Sequence, residues 1–221
     1  MKSAVIGRVD GDLSRINPLR KVWSTEHGLR DQIEITGVKR TPDGLDINEG
    51  RAAHEELTER DAVKLNGDGI TVVSEEEKRT KYTEFLAVPD AFVGIDTKQG
   101  TFLFDLLEQE SGVPISRVEV DIDDFAAAFP NATPWKVGFY GHGEQAENGV
   151  VHGENVLDDD ELGGVLQGTK KNQLGLRMNY DGREFKITIT KSGYVSVYEP
   201  KNLDSAEFAE FVVDKILPYT D

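Results

Sequence analysis

Hydrophobic and polar residues alternate most regularly near the C-terminus of the chain. Three alternating segments, Gln173–Tyr180, Arg183–Thr190 and Tyr194–Tyr198, predict β-strands. The connections Asp181-Gly182 and Lys191-Ser192-Gly193 are turn sequences typical of hairpins. We therefore predict a three-stranded antiparallel meander.

A helix is predicted to close the chain after this meander. Asp204 and Glu207 have the spacing of a capping box, in which two side chains satisfy free backbone N–H groups at a helix start. Phe208, Phe211 and Ile216 then fall on one helical face. We expect this face to pack on the apolar side of the meander, formed by Leu174, Leu176, Met178, Phe185, Ile187, Ile189, Val195 and Val197.

The remaining pattern divides the chain into two parts. Ala4–Val9 and Gln32–Val38 predict strands, whereas Arg51–Lys64 predicts a charged helix. The polar run Ser74–Lys81 predicts a surface loop or boundary. We predict a β-rich N-terminal domain or subdomain at residues 1–80 and an α+β domain at residues 81–221. The expected fold class is α+β, with mixed or antiparallel sheets and helices packed on one face.

Composition restricts the chemistry. The 221 residues include no cysteine, which excludes disulfides, thiolate metal sites and cysteine nucleophiles. The N-terminal segment is not typical of a signal peptide, and no apolar run has the length of a membrane span, so we expect a cytoplasmic protein without a membrane partner. No catalytic residue is predicted.

The net charge of −16 is the strongest compositional feature. Self-repulsion of this size opposes a compact state in dilute buffer, and molar salt, with a Debye length of about 3 Å, screens it. The composition is therefore typical of salt-adapted proteins of the haloarchaeal type.

A repeated tripeptide is the best candidate for metal chemistry. His142-Gly143-Glu144 recurs as His152-Gly153-Glu154. If a hairpin turn centres on Glu147, the two histidines lie opposite each other, and with Glu144 and Glu154 they could hold a divalent ion. This favours, as an alternative, a metal-dependent hydrolase; otherwise no cofactor is predicted. His27 and His54 stand alone and are expected to be solvated.

The charge balance reverses between Thr169 and Lys191, where six basic residues stand against two acidic ones. Period-two geometry predicts that the face of the meander opposite its apolar side is open and carries Arg177, Asn179, Lys186, Thr188, Thr190, Tyr194 and Tyr198. Cations can neutralise phosphates and tyrosine rings can stack on bases. The favoured interpretation is a non-catalytic binding or regulatory protein that contacts DNA or RNA through these residues.

Residues 186–217 resemble the end of a half-repeat of the TATA-box-binding protein family. The similarity rests on a strand, the Ser192-Gly193 turn, a second strand and a helix. In that family a concave sheet contacts DNA and helices cover the other side, so the resemblance implies a local topology of this kind. The rest of the chain resembles no family. A third interpretation is an acidic interaction protein that binds a basic partner or mimics DNA.

Overall fold

The computed structural model describes residues 1–13, 15–67, 69–140 and 148–221. In these ranges the chain forms one antiparallel sheet of twelve strands with a few helices. The strands, in chain order, are β1 (Ser3–Val9), β2 (Leu19–Ser24), β3 (Leu29–Arg40), β4 (Asp46–Asn66), β5 (Gly69–Val88), β6 (Phe92–Ile95), β7 (Ile115–Arg117), β8 (Thr133–Tyr140), β9 (Asn148–His152), β10 (Lys170–Tyr180), β11 (Arg183–Thr190) and β12 (Tyr194–Glu199). The helices are α1 (Phe102–Ser111), α2 (Ile122–Ala128), α3 (Gly163–Gln167) and α4 (Ser205–Phe211), which continues as a π-helical turn over Val212–Ile216.

The spatial order of the strands is β2-β3-β4-β5-β6-β1-β12-β11-β10-β8-β9, and β7 also pairs with β1. The N-terminal strand β1 thus joins the two halves of the sheet. Its residues alternate between two hydrophobic cores. Ala4 and Ile6 belong to the core under α2 and α4, and Val5 and Val9 belong to the core under α1.

The predicted C-terminal unit is present. β10, β11 and β12 pair in antiparallel order, and the Asp204–Glu207 capping box starts α4. The eight apolar meander residues lie in the same hydrophobic core as Phe208, Phe211 and Ile216.

Helix α2 begins with an N-cap. The Asp121 side chain accepts hydrogen bonds from the backbone N–H groups of Asp123 and Asp124 at the start of this helix.

Two predictions for the N-terminal part are wrong. The expected helix Arg51–Lys64 lies within strand β4, and the expected loop Ser74–Lys81 lies within strand β5. These strands form one regular hairpin from Asn48 opposite Ala87 to Asn66 opposite Gly69. Cross-strand ion pairs such as Lys78–Glu55 and Lys81–Glu56 replace an apolar pattern in this ribbon. The boundary expected between residues 80 and 81 therefore falls inside a continuous strand.

Like charges also meet across this ribbon, which makes its stability dependent on salt. Glu59 lies directly opposite Glu76, whereas the neighbouring Glu75 carboxylate forms an ion pair with Lys64. Directly opposed like charges destabilise a strand pair. We expect Glu76→Gln to raise the melting temperature in 0.1 M KCl and to have little effect in 2 M KCl.

The matched control is Glu75→Gln, which removes a paired carboxylate and should give no such gain in 0.1 M KCl. Wild-type protein should itself melt several degrees higher in 2 M KCl, because salt screens its net negative charge. Thermal unfolding followed by circular dichroism measures both effects. Equal melting temperatures of the wild-type protein in the two salt concentrations would contradict the salt-adapted interpretation.

Tyr180 links the meander to the C-terminal helical segment. Its ring packs on Phe185 and Phe211, and its hydroxyl donates a hydrogen bond of 2.9 Å to Asp214. Burial and the adjacent Asp214 carboxylate raise the pKa of Tyr180 well above its usual value of 10.0. The folded state therefore holds this proton at a pH where the unfolded chain releases it.

This pKa shift predicts a specific loss of stability in alkali. Tyr180 makes its full contribution to the free energy of unfolding below pH 10. Above pH 10 this contribution declines, because the unfolded chain releases the tyrosine proton and the folded protein still holds it. Tyr180→Phe should therefore be less stable than wild type at pH 8, and the difference should narrow by pH 11. Urea unfolding at both pH values measures it. A difference that stays constant would refute this role for Tyr180.

Candidate nucleic-acid interface

The sheet face opposite α4 is only partly open. Arg177, Asn179 and Tyr198 are exposed, as the period-two pattern predicts. Lys186, Thr190 and Tyr194 are half-buried, and Tyr194 packs against the core under α1. Thr188 is 1% exposed, so the prediction that it lies on an open surface is wrong.

Much of the positive charge predicted for this face is neutralised, because several of the basic side chains form ion pairs away from the face. Lys171 is buried and its Nζ lies 2.6 Å from the Asp123 carboxylate. Arg183 forms an ion pair with Glu207, and Lys191 lies 3.4 Å from Glu119. Three of the six cations therefore pair with carboxylates from outside the segment, which the charge count along the sequence could not show.

The two cations named for the face remain close to its surface. Arg177 Nη1 lies 3.9 Å from Glu184 Oε1 in a pair that is about half exposed, and such pairs contribute little to stability. Lys186 Nζ lies 4.6 Å from the ring centroid of Trp135, which is a cation–π distance. Lys186 and Arg177 are directly opposite each other on β11 and β10.

Trp135, which the sequence analysis did not place in the site, is the centre of the face. Its Nε1 donates to the Ile187 carbonyl oxygen at 3.2 Å. The Tyr198 ring meets it edge-on at a centroid distance of 5.8 Å, and the His152 ring lies at 6.1 Å. The indole thus contacts side chains from three other strands, β9, β11 and β12.

A β-bulge and a glycine explain the position of Trp135. Gly175 pairs with Lys136 and Leu176 pairs with Pro134, so Trp135 is the extra residue of β8. A Cβ atom on Gly175 would lie 2.7 Å from Trp135 Cε2. The indole therefore rests against bare backbone, and no other residue at position 175 leaves room for it. The glycine at position 175 could be read from the sequence. The bulge in β8 that directs Trp135 onto this glycine could not.

A groove of about 540 Å³ adjoins the indole. Its floor and walls combine one aromatic ring, amide and hydroxyl groups, one guanidinium and two carboxylates, and the residues that line it are Asn131, Thr133, Trp135, Gly153, Glu154, Arg177, Met178, Asn179 and Glu184. The groove can accept a flat ring beside Trp135 and an anionic group beside Arg177.

The expected metal site is not supported by the described residues. His142 and Glu144 lie outside them. His152 is opposite Lys136, not opposite a histidine, because β8 and β9 pair in a register that places Tyr140 against Asn148. Glu154 lines the groove. Within the part of the chain that the structure describes, no group of three metal-ligating side chains comes together.

A second aromatic cluster lies on the other half of the sheet. The His54 ring is stacked between Trp23 and Phe102, each at a centroid distance of 5.6 Å. His54 Nδ1 lies 2.6 Å from the buried carboxylate of Asp31. The expectation that His54 is a solvated surface residue is therefore wrong. This cluster fixes β2 and the start of α1 against β4.

No protein-family model and no curated protein sequence matches the chain. None of the helices in the described ranges is long and apolar enough to cross a membrane. The similarity of residues 186–217 to a TATA-box-binding half-repeat stays a prediction. The geometry around Trp135 is therefore the basis for a functional proposal.

The packing of Trp135 on Gly175 can be tested directly. Gly175→Val should displace the indole, because the new side chain would occupy the space of its Cε2 and Cζ2 atoms. In a Trp23→Phe background, where Trp135 is the one remaining tryptophan, we expect its emission maximum to move to longer wavelength as the ring becomes hydrated. Gly164→Ala, at an exposed position of α3 where an added Cβ meets no atom within 4 Å, is the control for a glycine substitution. An unchanged emission maximum in Gly175→Val would contradict the packing.

Proposed function

We propose that this protein is a non-catalytic binding protein that holds a short stretch of single-stranded nucleic acid in the Trp135 groove. The observation that carries the proposal is the indole itself, which is fixed on the sheet face with Lys186 over its ring and Arg177 lining the same groove. A protein of this composition would act in the cytoplasm of a salt-accumulating cell.

The indole is suited to base stacking because its position is fixed before any ligand arrives. The hydrogen bond to the Ile187 carbonyl and the contact with Gly175 hold one edge of the ring. A base that stacks on a fixed aromatic ring gains about 1–3 kcal/mol, whichever base it is. Tyr198, which is 48% exposed, extends the aromatic surface. Stacking therefore supplies affinity without base specificity.

The cations would position the phosphates. Lys186 lies over one face of the indole, so a base that stacks on that face displaces the ammonium, which can then contact a phosphate. Arg177 lies on the neighbouring strand. The long Arg177–Glu184 contact is exposed to solvent, so the guanidinium can exchange that carboxylate for a phosphate at small cost. With two phosphates neutralised on a single strand, the logarithm of the binding constant should fall with the logarithm of salt concentration with a slope of about −1.4.

A single strand fits this face better than a duplex does. Bases in a duplex are stacked on each other, so an aromatic ring reaches them only by wedging between base steps. Trp135 is half-buried and its edge is bonded to backbone, which prevents such insertion. The family resemblance of residues 186–217 implies duplex binding instead. Titration with a single strand and with a duplex distinguishes these two modes.

The test uses the Trp23→Phe variant, in which Trp135 alone reports fluorescence. Titration with an eight-residue oligothymidylate in 0.2 M KCl should quench the emission, and a duplex of the same length should quench it less. Arg177→Glu combined with Lys186→Glu should weaken binding at least tenfold, since a lost charge-assisted contact is worth about 1.5 kcal/mol or more.

The matched control is Arg79→Glu, which reverses an exposed cation of strand β5 far from the groove along the chain. It changes the net charge by the same amount per substitution and should leave the affinity nearly unchanged. Emission that does not respond to the single strand at any salt concentration between 0.1 and 3 M would refute the proposal. Stronger quenching by the duplex would favour the mode that the family resemblance implies.

A further inference from the structure

The hairpin of β4 and β5 extends far beyond the rest of the sheet. His54 is the last residue of β4 that pairs with β3. From there to Asn66, β4 pairs with β5 alone, and we call residues 55–66 and 69–80 the arm. Twelve residues of strand span about 40 Å. Between Glu59 and Thr80, every described residue is exposed or half-buried.

The end of the arm carries an apolar patch. Val63 lies opposite Val72, and Leu65 lies opposite Ile70, so the four side chains share one face. They are 66%, 61%, 80% and 72% exposed, respectively. Together they present on the order of 400–500 Å² of aliphatic surface, which is near the largest patch that a monomer normally leaves in water. We call these four residues the tip patch.

An isolated two-stranded ribbon has little reason to be stable by itself. Such hairpins are marginal in water unless a third strand or a packed surface covers one face. Side-chain hydrogen bonds hold the base of the arm, from Trp23 to the Glu55 carbonyl and from Lys78 to the Gly28 carbonyl. Beyond its base the described arm has neither a third strand nor a packed surface, and its Glu59–Glu76 pair is repulsive. A surface that covers the tip patch would therefore stabilise both the patch and the strand pairing beneath it.

The charge distribution indicates which surface would cover the tip patch. Between Ala62 and Val73 the sequence has one lysine and one aspartate, so the tip is neutral in a molecule of charge −16. The carboxylates of Glu59, Asp61 and residues 75–77 lie behind it. Two copies can therefore approach each other through their tips at a lower electrostatic cost than through the strongly acidic remainder of the surface.

We propose that the tip patches of two copies pack face to face and form a two-fold symmetric dimer. A two-fold contact brings the same patch together from both copies, so no separate complementary surface is required. Two patches would bury on the order of 1,000 Å², the lower limit for a specific interface. The arms would then hold the two bodies apart, with their acidic surfaces separated and both Trp135 grooves accessible.

The area predicts a weak dimer that salt strengthens. Contacts at the lower size limit are typical of weak, transient complexes. Screening reduces the remaining repulsion, so we expect the dissociation constant to be at least tenfold lower in 2 M KCl than in 0.1 M KCl. Sedimentation velocity from 1 to 100 μM protein measures the monomer–dimer equilibrium in both salts.

The decisive variant is Leu65→Lys combined with Ile70→Lys, which places four cations in the proposed contact. It should raise the dissociation constant at least tenfold in 2 M KCl. Val38→Lys is the matched control, because Val38 is 69% exposed and lies in β3 outside the arm. Its dimer should form as in wild type. A wild type that stays monomeric at 100 μM in 2 M KCl would overturn the proposal and leave the tip to a different partner.

A crosslink gives an independent measurement that does not depend on the charged variant folding. Because the chain has no cysteine, Val63→Cys provides one thiol at the tip patch with little change in size. Mild oxidation should join two copies through this residue, and Val38→Cys should not crosslink under the same conditions. Equal crosslinking of both variants, or a dimer that survives the double lysine substitution, would show that the contact lies elsewhere. Neither result depends on nucleic-acid binding, so failure of the groove proposal leaves this one intact.

Discussion

The structure depends on the burial of β1 between two cores. This strand pairs with β6 on one side and with β12 and β7 on the other. Its side chains alternate between the core under α1 and the core under α2 and α4. A strand that is apolar on both faces is typical of a central position in a sheet, and Ala4–Val9 has this composition. The two cores therefore lie on opposite faces of the same central strand.

One-sided cover explains where the candidate sites lie. The helices α2 and α4 bury one face of the meander, so the other face needs no apolar residues and can carry Arg177, Lys186 and Tyr198. Trp135 on this face is held by a backbone hydrogen bond and by contact with Gly175. On the other half, β4 and β5 contribute Ile47, Leu86 and Val88 to the core under α2 and α4, and Ala52, Phe85 and Ala87 to the core under α1. Beyond this stretch the two strands leave the sheet as the arm. The proposed binding surface and the arm thus both lie outside the two cores.

Local signals allowed part of the fold to be predicted from the sequence. The meander is specified by Asp181-Gly182 and the Ser192-Gly193 turn, and α4 by its Asp204–Glu207 capping box, all within a few residues of the elements they define. The arm was missed because its strands are stabilised by cross-strand ion pairs, which a hydrophobic period does not detect. The signal was nevertheless present: opposite charges such as Glu56 and Lys81 lie at similar distances on either side of the glycine-containing turn at residues 66–69. A helix and a loop were predicted where complementary charges indicate a ribbon.

The candidate site shows why a charge count along the sequence does not give the charge of a surface. Consecutive strand residues point to opposite faces, so the six cations between Thr169 and Lys191 are divided between the open face, the helix side and the sheet edge. Three of the four cations other than Arg177 and Lys186 meet a carboxylate of a distant element, as Lys171 meets Asp123 and Arg183 meets Glu207. In a strongly acidic protein such encounters are frequent, because a buried or half-buried cation has many carboxylates within reach. The two cations that stay near the open face are Lys186, beside an aromatic ring, and Arg177, in a long, solvated ion pair. The proposed binding surface therefore rests on the geometry of Trp135 and not on the local net charge.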